Sequence, residues 1–592
     1  MSKSSQPVEF TTFDAATHDR LVKERIIDTK LAEYDQITAV SQVAINRQME
    51  HMHGLYEILQ KLDIRQIDDP DAGLIDCVLD PPQVKLRLGL NKQRVPTTSA
   101  SRLSGTYKFY SFGPHHTVVE HNYPISDWTV ALDVNMALNE MNRNKIPENV
   151  QKRIKNLDDY SVYQLLVDFT NASMARYVDS ESTIKLDKGE RQWFDVFLNG
   201  YIEKLRGAPE SNILHLLPRI KHKDKFPDAP TLAPTELNFQ SIPFVTDKKD
   251  SEGKEGVKEG AANMLVYLQM TASRPLPSNF LPISANWVIP SADNKSEAYD
   301  GTMCLSKKIF MDEWIMPKMT KFNDQSTWVT TRAEWKAPMN TEREFHLEGH
   351  IGITQADKNN DAKFKKTEWV YDSTTASETI ITGIEPAIPA IPAGSRVYKY
   401  SVNSMKQDKA FPWNVYLDST TTNHLYVPEG LVDGKSAITI TGEVRIHSYI
   451  HIYGVGNIGV QQSWITATWA TQLILDGVDE GHLKIRFEPA TITSKVKVVK
   501  DSSFLYREFI DNQTAQVEGD MKKMDMSGVV TELAKLFSGD WTFIFAGGRD
   551  FFIDKACFNR EGDLLCQVNY KAVRTSFKSR SVFKSGSPLV YN

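Results

Sequence analysis

Cysteine is nearly missing from this chain. The four that occur, Cys77, Cys304, Cys557 and Cys566, are scattered, with no C-x-x-C pair among them. That spacing provides neither a zinc knuckle nor a dithiol redox motif, so buried thiols in a reducing compartment are the expectation. Excess charge is missing too. The net charge is −6 over 592 residues and no basic arm is present, which leaves no electrostatic basis for a nucleic-acid partner. No run reaches the ~18 apolar residues of a membrane span. The opening stretch, MSKSSQPVEFTTFDAATHDRLVKER, lacks the apolar segment of a signal peptide; cytoplasmic residence is the expectation, with export by a non-classical route as the alternative.

Catalytic signatures are the next absence. The sequence holds no G-x-S-x-G elbow, no phosphate loop and no G-x-G-x-x-G. FAGGRDFF (545–552) has two glycines but no lysine to cradle a phosphate, and reads as a tight turn. EFHLEGHIGIT (344–354) comes nearest to a zinc-protease motif. There, however, Phe345, Leu347, Ile351 and Ile353 alternate with His346, Glu348, His350 and Thr354. Period two predicts a strand, on which residues four apart are roughly 13 Å from each other. Two histidines sharing zinc must each lie within about 2 Å of it, and the glutamate of the motif directly follows the first histidine. A strand face in the second domain's curved sheet is the expectation. His447 and His451 share a face with Glu443 and Arg445 and read as polar surface, and His115 and His116 as a surface loop near His121. No cofactor, no metal site and no enzymatic activity are expected.

What is present is a globular composition, 41% hydrophobic and 24% charged, in a chain long enough for two or three domains. Residues 25 to about 62 read as one long amphipathic helix, on apolar positions from Tyr34 and Ile37 through Met49 and Met52 to Leu62, with Gly54 as a possible bend. Strands follow at 128–138 and 163–170. A second helix is expected at 188–206, with Trp193, Phe194, Phe197, Tyr201 and Leu205 in its stripe, and strands at 235–245 and 263–270. Near 300 the pattern restarts. Met303, Leu305, Ile309, Phe310, Trp314 and Ile315 fall at helical spacing, with Pro317 ending or kinking the helix. The proline-rich 384–394 reads as an extended connector.

The strongest strand signal is SAITITGEVRIHSYIHIYG. Ile438, Ile440, Val444, Ile446, Ile450 and Ile452 point one way, and Thr439, Thr441, Glu443, Arg445, His447, Tyr449, His451 and Tyr453 the other. Alternation this long, about three times a typical strand, suits a strongly curved sheet. Further strands are expected at 464–475 and 482–488. A helix at about 526–537 precedes DWTFIFAGG and DLLCQVNYK, two strands flanking FFIDKACFN.

GDWTFIFAGGRDFFIDKACFNREGDLLCQVNYK (539–571) resembles the C-terminal region of clostridial toxin-cluster proteins, the forty-seven-kilodalton and OrfX-type proteins encoded beside certain botulinum neurotoxins. WTVALDVNMALNEM, YSVYQLLVDFTNA and RPLPSNFLPISANWVIP are similar in style to the same family. The resemblance implies the tubular lipid-binding (TULIP) fold. That gives an α+β expectation of two tandem tubular domains, each a long helix wrapped by a highly curved antiparallel sheet. A polar arm would occupy 1–24, the first tube 25–298 and the second 299–592. The family brings no catalytic residues. A long helix inside a curved sheet can leave an elongated apolar slot, and this is the physical reason to expect a lipid or hydrophobic ligand. Ile438, Ile440, Val444, Ile446, Ile450 and Ile452 are its candidate lining. A membrane surface or a protein partner stays open. So do two other readings, a toxin-associated or structural interaction protein with filled tubes, and a hydrolase using the polar strand faces.

Overall fold

The computed structural model describes residues 15–66, 69–87, 94–112, 117–140, 160–168, 178–208, 213–220, 234–245, 262–282, 284–289, 299–336, 344–375, 390–411, 413–431, 436–453, 459–479, 482–487, 495–502 and 551–570, with a few isolated positions between. In chain order the strands are β1 (Gln36–Ser41), β2 (Lys61–Arg65), β3 (Gly73–Leu79), β4 (Gln83–Leu86), β5 (Arg94–Phe112), β6 (Val118–Glu140), β7 (Tyr160–Asp168) and β8 (Ile213–Ile220). Then come β9 (Glu236–Ile242), β10 (Phe244–Val245), β11 (Val257–Lys258), β12 (Met264–Met270), β13 (Gly301–Leu305), β14 (Trp328–Lys336), β15 (Glu344–Ile351) and β16 (Val370–Thr375). The last eight are β17 (Arg396–Asp408), β18 (Trp413–Val427), β19 (Ser436–Ile452), β20 (Gly459–Asp479), β21 (His482–Phe487), β22 (Lys495–Ser502), β23 (Phe551–Phe558) and β24 (Leu564–Tyr570).

The fold is α+β, dominated by strands that pair antiparallel. A 13-stranded sheet runs β16-β17-β18-β19-β20-β23-β24-β13-β1-β12-β9, with β21 and β22 also on β20. A 7-stranded sheet runs β2-β3-β5-β6-β7-β8, with β4 on β5. Both paths are open. Among the described residues no helix is long and apolar enough to cross a membrane.

The long helix expected over 25–62 is corrected. Its centre is β1, which is buried at every position and pairs with β12 on one side and β13 on the other. Ile37 and Ala39 face one core with Val266, Leu268 and Leu565, while Val40 faces another with Leu265, Met303 and Leu305. A strand buried on both faces has no polar side to set its period, so its apolar residues fit a helical spacing equally well. Helices flank it instead. Ala15–Asp28, partly within the expected arm, buries Leu21 and Arg25. Gln42–Leu55 starts where the Ser41 hydroxyl accepts the Ala44 N–H at 3.1 Å, an N-cap that ends the strand and opens the helix.

The helix Lys188–Gly207 matches the expected one. Asp187 and Glu190 form a reciprocal capping box, and Phe194, Phe197, Leu198, Tyr201, Ile202 and Leu205 are buried. Trp193 is not in the stripe. It is 42% exposed, because one residue is a rotation of about 100° around the helix.

Near 300, Met303 and Leu305 belong to β13 rather than to a helix. The helix begins at Lys308 with a π stretch, Lys308–Ile315, and continues as α-helix over Met316–Ser326. Pro317 does not end it. Proline at the first positions of the α segment lacks only an N–H that the register change leaves free, and Met316 N–H bonds back to Met311 across the wider π turn.

At the C-terminal end FFIDKACF is not a connection but β23, paired with β24. The helix expected at 526–537 and the strand at DWTFIFAGG lie outside the described residues. β24 pairs with β13, so one sheet joins β1, β9 and β12 from the first part of the chain to β13, β23 and β24. The division expected at 298/299 falls between β12 and β13, both of which pair with β1.

Candidate functional site

The candidate lining lies on the longest continuous wall among the described strands. β17, β18, β19 and β20 are 13, 15, 17 and 21 residues long, and their mutual pairings run without a register shift. At ~3.3 Å per residue β19 extends roughly 55 Å. Its alternation puts Ile438, Ile440, Val444, Ile446, Ile450 and Ile452 on the inner face, with exposures between 0 and 6%. All six join one core with Val415, Leu417 and Leu425 of β18, Ile465 and Leu473 of β20, and Ile309, Phe310 and Ile315 of the π stretch. A ligand-sized void along this wall would leave accessible surface on its lining, and these side chains have almost none.

The helix that feeds this core is rich in methionine. Met311, Met316 and Met319 are all buried. Their unbranched thioethers repack more readily than branched side chains. The helix is also tied at each end. Arg274 bridges Asp35 and Glu313 at 2.8 Å each, and Asn423 Nδ2 donates to Asn323 Oδ1 and Ser326 Oγ, both at 2.8 Å.

Asn423 belongs to a polar seam that the sequence analysis missed. The inner face of β18 reads Trp413, Val415, Leu417, then Ser419, Thr421, Asn423, then Leu425 and Val427, all buried. Trp328 N–H donates to Thr421 Oγ1 at 3.1 Å, and Thr330 N–H to Ser404 Oγ at 3.0 Å. Ser419 Oγ donates to Ser404 O, and Thr327 shares a hydrogen bond with Tyr400 OH. Burial pushes the Tyr400 phenol up to about 12, against the Thr327 contact that lowers it. The signal was visible as three consecutive polar residues at inward positions of an otherwise apolar alternation.

Two glycines make room for tryptophans here. A side chain at Gly442, in the middle of the candidate wall, would overlap the indole of Trp469 and meet Asn423. One at Gly349 would meet Trp328 ring atoms at 2.5–2.6 Å. Gly349 lies in β15, which is a strand as its period implies. Its placement is corrected, however. β15 pairs with β14 in a separate 2-stranded sheet rather than joining the curved one; Trp328 and Thr330 of β14 dock that hairpin on β17 and β18 through the seam. Phe345 and Leu347 are its buried side chains. His346 Nδ1 lies 3.7 Å from Glu348, and His350 Nε2 lies 3.1 Å from Asp357, so the two histidines turn to different carboxylates.

On the outer face the rings stack on each other. Tyr416 stacks on Tyr449 at 4.6 Å and His447 on Trp464 at 4.9 Å. Such cross-strand pairs use the ring faces to zip the sheet. Among the described residues no group of three or more His, Cys, Asp or Glu is arranged to hold a metal ion. All four thiols are buried. Burial pushes Cys77 up to about 11 and raises Cys304 and Cys557, which suppresses the thiolate needed for nucleophilic chemistry.

The site thus defines a class, a strand-dominated α+β protein with an extended apolar wall and a methionine-bearing helical cover. No protein-family model matches the chain, and no curated protein matches its sequence. Among solved structures, one described as the crystal structure of lipopolysaccharide binding protein is similar at 9% identity and a TM-score of 0.33, covering 91% of this chain and 100% of that one. A likeness this slight carries neither fold nor ligand across.

Proposed function

We propose that the protein is a non-catalytic binder of lipid or another hydrophobic ligand. The observation that carries this is the inner wall of β17–β20, apolar on either side of its polar seam and bounded by a helix that starts with a π stretch and contributes Met311, Met316 and Met319. The wall is closed at Ile438–Ile452, so the ligand enters by displacing resident side chains, and the methionines are those best able to move. The tubular arrangement implied by the family resemblance belongs to this reading, with the helix-bearing core as the slot. Lipid extraction and native mass spectrometry of the purified chain test it. A co-purifying apolar ligand, or saturable uptake of a fluorescent fatty acid lost on Ile446→Asp in folded protein, is expected. Neither appearing would overturn it.

A second reading has its own observation. The six lining residues are covered by the chain itself, as in an interaction or structural protein whose core is simply filled. A stable protein partner together with a ligand-free core would favour it.

A further inference from the structure

The hairpin between β17 and β18 carries the most exposed large apolar side chain described. Phe411 is 89% exposed at its tip. The flanking strands stay paired up to the turn. Strand pairing continues to Asp408↔Val415, Trp413 N–H bonds to Ala410 O at 2.5 Å, and Gln407 Nε2 donates to Asn414 Oδ1 at 2.8 Å. Beneath it Trp413 stacks on Trp335 at 4.6 Å and meets Phe345 edge-on. Tyr453, 41% exposed, lies just past the pairing of Ile452 with Trp413, at the same end of the sheet. Folding gains nothing from leaving Phe411 in water.

The exposed charges on the hairpin itself are both positive, and the part-exposed Asp361 carboxylate lies within electrostatic reach of Lys406. Lys406 and Lys409 are exposed on the hairpin. The intervening carboxylate, Asp408, turns inward and accepts the Trp335 N–H at 3.2 Å. A paired hairpin with an exposed phenyl, an amphipathic tyrosine at the same end of the sheet and flexible ammonium groups behind fits the boundary of a lipid bilayer. There rings enter the acyl margin and lysines reach anionic headgroups. A protein surface would need a shaped pocket for Phe411, whereas a bilayer needs none.

We propose that the Lys406–Phe411 stretch docks the protein onto anionic phospholipid bilayers, with Phe411 inserted and Lys406 and Lys409 on the headgroups. The inference is independent of whether the core holds a ligand. Its test is sedimentation of the full chain with vesicles of phosphatidylcholine alone and of phosphatidylcholine with phosphatidylserine. Binding to the mixed vesicles, weakened by salt, is expected. Phe411→Ser should reduce it about tenfold, the loss of one inserted ring, and Phe411→Leu should largely restore it. Lys406→Glu with Lys409→Glu should remove the preference for phosphatidylserine. Labelling Phe411→Cys with an environment-sensitive dye should give a brighter, blue-shifted signal on the mixed vesicles. No association of the folded chain with the mixed vesicles overturns the proposal, as does undiminished association of Phe411→Ser. A Phe411-dependent protein complex without vesicle binding would also overturn it. Core ligand content, read by extraction, should be the same in all variants, which separates this outcome from that of the core reading.

Discussion

The 7-stranded sheet and the β17–β20 wall solve the problem of covering a curved surface differently. The 7-stranded sheet breaks its register repeatedly, with shifts between Leu62 and Ile64, Ile75 and Val78, and Leu103 and Gly105. Asp76 and Asp127 take left-handed conformations at two of these places, with φ of 48° and 55°. Bulges of this kind bend a strand and increase its twist. The bent sheet closes on aromatic side chains, Tyr107, Trp128, Phe194 and Phe197. The β17–β20 wall keeps its register from end to end and is held to its cover by the polar seam. Bulges shape the first region, and hydrogen bonds position the second. An apolar core tolerates sliding. A seam of donors and acceptors does not, because a shifted partner leaves buried groups unpaired.

The largest effect should come from removing the aromatic anchor of the first region. Phe194 is fully buried against Tyr107 and Trp128, so Phe194→Ala should cost about 3–5 kcal/mol. Hydrogen exchange should accelerate in β5 and β6 before β18 and β19; uniform acceleration would erase the distinction between the regions. Next is Gly442→Ala, which forces Trp469 and Asn423 to move and should cost about 1–3 kcal/mol in urea unfolding, here in the second region.

Asn423→Ala should cost about 1–3 kcal/mol, because Asn323 and Ser326 lose their shared partner. Its sharper signature is faster exchange over Met316–Ser326, with the first sheet unchanged. The smallest effect concerns Asp357, which caps the short helix Gln355–Asn360 after β15. Burial works against its charge, but hydrogen bonds from Thr354 and from His350 outweigh it and hold the carboxyl below its usual value. A depressed carboxyl contributes stability above its unfolded pKa of about 3.9 and loses it as pH falls through the folded value. Asp357→Asn should therefore cost a few tenths of a kcal/mol to about 1 kcal/mol near neutrality, with the difference from the parent chain shrinking as pH falls through the folded value.

Much of this was legible where one side of an element meets water. The 188–206 helix showed its apolar stripe, and β19 its alternation, because polar and apolar residues there record the period. β15 was readable as a strand for the same reason, but not as the partner of β14. β1 was unreadable as a strand, since QITAVS is buried on both faces. The seam looked like ordinary polar residues in STTTN until Asn323, Ser326, Trp328 and Thr330 were brought opposite it.

By itself the sequence determined local period: which residues of β19 share a face, that 188–206 is helical, and that His346 and His350 lie on a strand. Tertiary structure alone decided that β1 sits between β12 and β13, and that β24 closes on β13. It alone covered Ile438 to Ile452 and left Phe411 bare. The reason is physical. Period follows from backbone geometry within a few residues, whereas burial and pairing depend on partners far away in the chain, which local composition does not name.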